Sequence, residues 1–212
     1  MRTHSVFRRA MLPGLALIAL SACSSPYTGP VEVTRFVAEE RSAELAKGRI
    51  AIVFPEEISN QAARAAFENA VADELRALGY TIATQPGTAG QSASIRTSRE
   101  PVAAAAAGRS PVNVGVGGQT GTFGSGVGVG VGINLGGGSD GPRVVTELSV
   151  RIVGPAGETL WEGRSQIATS MDSPYTDTEE AARTLAAALF RDFPGGNGET
   201  VTIDASDLQG PE

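Results

Sequence analysis

The sequence predicts an α+β fold, a two-layer sandwich in which two amphipathic helices cover a mostly antiparallel sheet. The first observation behind this prediction is a pair of segments, 59–78 and 176–193, with apolar residues at helical spacing. The second is a set of segments in which apolar and polar residues alternate, most clearly 143–153 and 159–169. Amphipathic helices and one-sided sheets bury their apolar faces against each other, which favours two layers.

The first part of the predicted domain contains two strands and a helix. Residues 31–37 alternate and are rich in β-branched side chains, which predicts a strand. Residues 49–54 are nearly all apolar, which is typical of a strand covered on both faces. A helix then begins after a cap at Ser59 or Asn60 and runs to about Leu78.

Less regular segments follow the first helix. After Gly79, a helix-stop residue, we expect a short strand over 80–84, a loop over 86–94 and a strand over 95–99. Residues 102–108 are alanine-rich and fit a helical turn or a linker.

A glycine-rich segment occupies residues 112–141, of which more than a third are glycine. Valines alternate with glycine or asparagine in two runs, 112–116 and 127–135, so within each extended run the valines would lie on one face. This pattern predicts either a two-stranded hairpin or a single glycine-rich flap with β tendency. Glycine lowers strand stability, so we expect this to be the least stable region.

The last part of the domain is predicted to be a hairpin, a helix and a strand. The alternating segments 143–153 and 159–169 flank a Gly-Pro-Ala-Gly turn and form a hairpin with one wet face. Two overlapping capping boxes, starting at Thr176 and Asp177, open a helix that runs to about Phe193. A strand over 199–203 and a polar tail complete the chain.

The N-terminus has the pattern of a bacterial lipoprotein signal. A basic start is followed by an apolar run over 11–20, too short to span a bilayer, and then by Leu20-Ser21-Ala22-Cys23. This tetrapeptide is typical of a lipobox, which predicts that Cys23, the single cysteine, becomes lipidated. The predicted parts are therefore a signal peptide (1–22), a tether (23–30), one α+β domain (31–206) and a tail (207–212).

Lipidation would make the membrane a partner through the N-terminal acyl chains, since more than one chain gives stable anchoring. Ser24, a residue other than Asp after the cysteine, favours the outer membrane by the sorting rules of diderm bacteria. We therefore expect the protein in the cell envelope, with its domain facing the periplasm.

Composition argues against a nucleic-acid partner. The chain has 17 basic and 23 acidic residues, and removal of the three arginines in the signal peptide leaves 14 basic residues and a net charge of −9. Such an acidic chain, with Lys47 as its only lysine, lacks the basic patch that phosphates require.

The residues that remain after cleavage also restrict the chemistry. His4, the only histidine, would leave with the signal peptide. Catalysis by Ser-His-Asp or Cys-His groups and zinc sites built from His and Cys are then excluded. Carboxylate chemistry, Ser-Lys chemistry through Lys47 and oxygen-ligand metal binding stay open, but the sequence points to no cofactor.

Four features of the sequence are candidate functional sites. Gly136-x-Gly138-x-x-Gly141 matches a dinucleotide-binding pattern, but Pro142 and a strand follow it instead of the required helix. A lysine–serine pair involving Lys47 has no supporting motif, so Lys47 is expected to be solvated. Trp161 lies on the apolar face of a hairpin, which favours core packing over ligand binding. The last candidate is the acidic group Asp172, Asp177, Glu179 and Glu180, whose position favours helix capping over a metal or glycosidase site.

The chain also resembles a family of bacterial envelope lipoproteins that carry domain of unknown function forty-one thirty-six. The resemblance rests on two features. One is a strand–turn–strand over 146–164 that contains Trp161-x-Gly163, and the other is a closing helix over 186–195 that contains Phe193-Pro194. Residues 31–36 and 109–112 resemble its alphaproteobacterial members. One departure is Ala93-Ser94-Ile95, where many members carry Ala-Asp before a strand. The resemblance implies an envelope location and an α+β fold, and it brings no known activity.

Three functions are consistent with these observations. The first is a non-enzymatic binding or assembly accessory that contacts an envelope protein, with the valine–glycine hairpin as its expected contact element. The second is a carboxylate-dependent cell-wall hydrolase, which needs two carboxylates about 5 to 10 Å apart across a cleft. The third is a carrier of a small apolar ligand between the helices and the sheet.

Overall fold

Residues 26–55, 60–84, 90–102 and 143–208 are described by a computed structural model of the chain. The elements are β1 Val31–Val37, β2 Arg49–Val53, α1 Gln61–Ala77, β3 Thr81–Ala83, β4 Gln91–Val102, β5 Arg143–Val153, β6 Thr159–Ser170, α2 Thr178–Phe190 and β7 Thr200–Ile203. They confirm the predicted α+β sandwich of one mostly antiparallel sheet and two helices. The predicted hairpin or flap over 112–141 lies outside the described residues.

The seven strands form one open sheet in the order β3-β2-β4-β5-β6-β1-β7. Only β2 pairs in parallel, with β3 on one side and β4 on the other. The other pairs are antiparallel, and the long strands β4, β5 and β6 form the centre of the sheet. The predicted hairpin of β5 and β6 is therefore confirmed. It lies in the middle of the sheet.

The helices pack on each other and cover one face of the sheet. Their apolar stripes, including Phe67 and Val71 of α1 and Leu185 and Leu189 of α2, join one buried cluster with Ile95 and other sheet residues. This is the arrangement that the helical spacing predicted, because each stripe needs an apolar surface to cover.

Side-chain caps fix where the two helices begin. Of the two predicted caps of α1, Asn60 is the one used, and its Oδ1 accepts hydrogen bonds from Ala62 N and Ala63 N at 3.1 Å each. Asp177 Oδ1 caps α2 in the same way, at 2.9 Å from Glu179 N and 3.1 Å from Glu180 N. Thr176, the first residue of the other capping box, instead donates its hydroxyl to Ser170 O at 2.7 Å.

Three predicted boundaries were wrong. The loop expected over 86–94 becomes strand at Gln91, because small residues alternate there with buried Ala93 and pair with β2. Helix α2 ends at Phe190 and not near Phe193, since Asp192 takes a left-handed backbone with φ of 55°. The polar tail expected from Asp204 contains a 3-10 helix, Ala205–Leu208, in which Ala205 is buried.

Residues 27–29 of the predicted tether contact the domain. Ser170 N donates to Tyr27 O at 2.9 Å, and Gly29 N donates to Ala168 O at 2.8 Å. Thr28 forms a β-bridge with Thr169. The chain before β1 thus continues along β6 towards the end of that strand.

Trp161 is fully buried, as predicted, and Gly163 makes room for it. Its indole stacks on Phe190 with ring centroids 5.4 Å apart and its Nε1 donates to Pro194 O at 2.9 Å. A Cβ atom on Gly163 would lie 2.3 Å from the Trp161 ring and 2.7 Å from Leu189 Cδ1. The Trp-x-Gly pattern therefore has a packing explanation: both residues point to the helix layer, and only one has a side chain.

We predict that Gly163→Ala destabilises the domain by about 1–3 kcal/mol, the usual range for overpacking a filled core. The matched control is Gly90→Ala, because a Cβ there meets nothing within 4 Å. Its free energy of unfolding should stay within about 0.5 kcal/mol of the parent. Urea unfolding of the chain from residue 26 onwards measures both. Equal stability of the two variants would contradict the packing explanation.

Candidate functional site

The sheet face opposite the helices is polar, and we call it the polar face. It is formed by alternate residues of five neighbouring strands, and no helix of the described part of the chain covers it. Its residues include Thr200 and Thr202 of β7, Glu32, Thr34 and Phe36 of β1, Glu162, Arg164 and Gln166 of β6, Glu147, Ser149 and Arg151 of β5, and Ser94, Arg96 and Ser98 of β4.

Strand register places these side chains in rows that cross the sheet. In one row, Glu32, Gln166 and Glu147 are neighbours, and Gln166 Nε2 donates to Glu32 Oε2 at 2.8 Å. In the next row, Thr34 shares a hydrogen bond of 2.7 Å with Thr200. The cross-strand pairs hold the side chains against the sheet, as such pairs commonly do.

Positive and negative side chains alternate along the polar face and form ion pairs. Arg164 pairs with Glu147, and Arg151 Nε lies 3.8 Å from Glu162 Oε2. At the centre of this face, the guanidinium groups of Arg96, Arg151 and Arg164 are interleaved with the carboxylates of Glu32, Glu147 and Glu162. The formal charge there is balanced, although the chain as a whole is acidic. The arrangement suits a charge-patterned partner better than a uniformly charged one.

Glu162, on the polar face, has a pKa above the ordinary value of a glutamate. Burial raises the pKa of Glu162, and the positive charges of Arg151 and Arg96 oppose the shift. Because the folded pKa exceeds the unfolded one, folding takes up a proton between the two values. The contribution of Glu162 to stability consequently falls as pH rises through that window.

One end of the polar face holds the start of the described chain. Tyr27 lies there against Arg143, whose guanidinium is 4.2 Å from the centre of the tyrosine ring. Arg143 pairs with Ser170 on one side and with Val102 on the other. Residues 103–142 therefore leave and rejoin the described fold at the same end of the sheet as Tyr27.

A shallow cavity at this end has a volume of about 10 Å³ and is lined by residues that include Tyr27, Glu32 and Gln166. That is roughly the space that one water molecule needs, whereas ligand pockets measure about 300–1,000 Å³. Within the described ranges, no group of three or more His, Cys, Asp and Glu residues is arranged to hold a metal ion. No helix in those ranges is long and apolar enough to cross a membrane.

The structure places the predicted candidates in separate regions. Cys23 and the Gly136–Gly141 pattern lie outside the described residues. Asp177 is a helix cap, Glu180 pairs with Arg183 on the surface of α2, and exposed Lys47 donates to Ala43 O at 2.8 Å. Asp177, Glu180 and Lys47 do not belong to the polar face.

Sequence reasoning identified only part of the polar face. The alternation within β5 and β6 indicated one wet side containing Glu147, Arg151 and Glu162. It gave no sign that Glu32 and Arg96 lie on the same surface. That requires knowing that β1 and β4 flank the hairpin.

Comparison with known proteins adds little to this description. No family model matches the chain, and no curated protein matches it. A PDZ domain protein from Parabacteroides distasonis is similar over 84% of this chain, with 13% identity and a TM-score of 0.42, and this chain spans 38% of that protein. A PelC dodecamer from Paraburkholderia phytofirmans is similar over 74% of this chain and 93% of its own, with 13% identity and a TM-score of 0.39. These scores are too low to transfer a fold or a function.

We predict that Arg151→Gln raises the pKa of Glu162 further. A neighbouring cation stabilises the carboxylate, so its removal favours the protonated form. The control is Arg164→Gln, which removes a polar-face arginine that pairs with Glu147 instead. Carbon-13 NMR titration of the Glu162 carboxyl measures both variants. An unchanged or lower pKa in Arg151→Gln would contradict the assigned pairing.

Proposed function

We propose that the protein is a lipid-anchored lipoprotein of the bacterial envelope that acts as a non-enzymatic binding or assembly accessory. The anchor is Cys23, the membrane is the outer membrane, and the domain faces the periplasm. The polar face is its contact surface for an envelope protein partner. This function agrees with what the resemblance to the envelope lipoproteins implies.

The lipobox sequence supports the anchoring part of the proposal. Leu20-Ser21-Ala22-Cys23 follows a basic start and a short apolar run, and Cys23 is the only cysteine. The start of the described fold is compatible with it, because Tyr27 is already attached to the end of β6, four residues after Cys23.

The polar face is the observation that carries the accessory part. Five strands about 4.8 Å apart, along about 20 Å of their length, give a surface of about 500 Å². A partner in a standard protein–protein interface contributes about 800 Å², so this face supplies more than half of one. Interleaved charges held by cross-strand pairs give such a surface specificity without a deep pocket.

We predict that Cys23→Ala abolishes both lipidation and cleavage of the signal peptide. Without the thiol there is no atom to carry the diacylglycerol, so a radiolabelled fatty acid should not be incorporated and the precursor should accumulate. Ser25→Ala is the control and should be labelled and fractionate like the parent. Fatty-acid labelling and membrane fractionation of cells producing each variant measure this. Incorporation of the labelled fatty acid into Cys23→Ala would disprove the anchor.

We also predict that a partner contacts the polar face and not the helix layer. A photo-crosslinking residue is placed at Arg164 on the polar face and, as a matched control, at Arg76 on α1; their side chains are 56% and 55% exposed. After irradiation of intact cells, a defined adduct is expected only from position 164. It should weaken when Arg151→Glu changes the charge pattern beside it. Identical adducts from both positions, or none from position 164, would contradict the proposed surface.

A further inference from the structure

We infer that the end of the sheet formed by Tyr27, Arg143 and Met171 faces the bilayer, so that the domain stands end-on upon the membrane that carries its anchor. This inference rests on the proposed lipidation of Cys23. It adds an interaction surface, namely an orientation and a contact between this end of the fold and the lipid headgroups.

The attachment of residues 27–29 fixes where the chain leaves the fold. Tyr27 O accepts hydrogen bonds from Ser170 N at 2.9 Å and from Ser170 Oγ at 3.2 Å. Thr28 Oγ1 lies 2.8 Å from Ser173 Oγ, and the Tyr27 ring packs under Arg143. Because this segment runs antiparallel to β6, the described chain begins at the end of β6.

The length of chain before Tyr27 limits the distance to the membrane. Only four residue steps separate Cys23 from Tyr27, and a fully extended chain covers at most about 3.6 Å per step, or about 14 Å in total. Strand β6 is about 40 Å long at about 3.3 Å per residue. The end of β6 at Ser170 is therefore held within reach of the headgroups, whereas the tether sets no such limit for the end at Thr159.

An exposed apolar side chain lies at the same end. Met171 follows Ser170 directly and is 57% exposed, and Phe36 is the other large apolar side chain that the described chain leaves exposed, at 54%. Phe36 pairs with Glu162, about 30 Å from Met171 along β6 at about 3.3 Å per residue. Asp172 is exposed beside Met171, so the contact is at headgroup depth and not in the hydrocarbon.

Charge limits the contact to a small area. The domain is acidic, and a bacterial membrane containing phosphatidylglycerol is anionic, so a broad contact would place like charges together. Asp177 and Glu179, at the start of α2, lie near this end as well, so the acyl chains supply the binding energy and the contact at Met171 is local.

The test uses Met171 and Phe36 as a matched pair. Lipidated protein carrying Met171→Cys or Phe36→Cys is spin-labelled and reconstituted in vesicles of phosphatidylethanolamine and phosphatidylglycerol. Cys23 does not react, because its thiol is occupied by lipid. Power saturation then compares collisions of each label with membrane-soluble oxygen and with a water-soluble nickel chelate. Asp172→Cys is a second reporter for the same turn.

We expect the labels at 171 and 172 to be protected from the nickel chelate on vesicles, and the label at 36 to remain as accessible as in detergent-free protein that carries Cys23→Ala and is produced without residues 1–22. Equal accessibility at 171 and 36, in protein that floats with the vesicles, overturns the orientation and leaves the anchor intact. Protein that does not float, and whose N-terminal peptide lacks the mass of the acyl chains, overturns both the anchor and the orientation.

Discussion

The attachment of α2 to the sheet is the interaction on which the rest of the structure depends. Arg35 of β1 is only 5% exposed, and it donates from Nε to Leu189 O at 2.9 Å and from Nη2 to Ala188 O at 2.8 Å. Burial lowers the pKa of Arg35, and Asp192 opposes the shift, but a guanidinium stays charged in proteins. A buried cation therefore binds the negative end of the helix dipole and the carbonyls that the helix leaves unpaired.

This attachment determines what each face of the sheet can do. Trp161, Phe190 and Phe193 pack beside Arg35's helix partners, and Gly163 leaves the space that Trp161 and Leu189 fill. This part of the helix side is thus occupied by side chains. The contact surface that we propose is therefore on the other side of the sheet, where β1, β4, β5 and β6 share the polar face.

The sequence predicted the elements better than their spatial relations. Apolar spacing identified α1, α2 and the hairpin of β5 and β6, because these elements bury one side and expose the other. It missed the start of β4, where Ser92 and Ser94 alternate with Ala93 and resemble a loop in composition. The strand order and the burial of Arg35 depend on contacts between residues far apart in the chain, which no local pattern contains.

In the end-on orientation that we propose, the Cys23 anchor and the polar face are compatible. Strands β5 and β6 are then roughly perpendicular to the bilayer. The polar face is perpendicular to it as well, so a periplasmic or membrane protein can approach this face from the side. Residues 103–142, which include the glycine-rich segment, are joined to the described fold at Val102 and Arg143. In this orientation both of these attachment points are at the end that faces the membrane. A partner bound to the polar face would then contact Glu162 and Arg151 far from the lipid, and a partner bound near Arg143 would contact the protein beside the membrane.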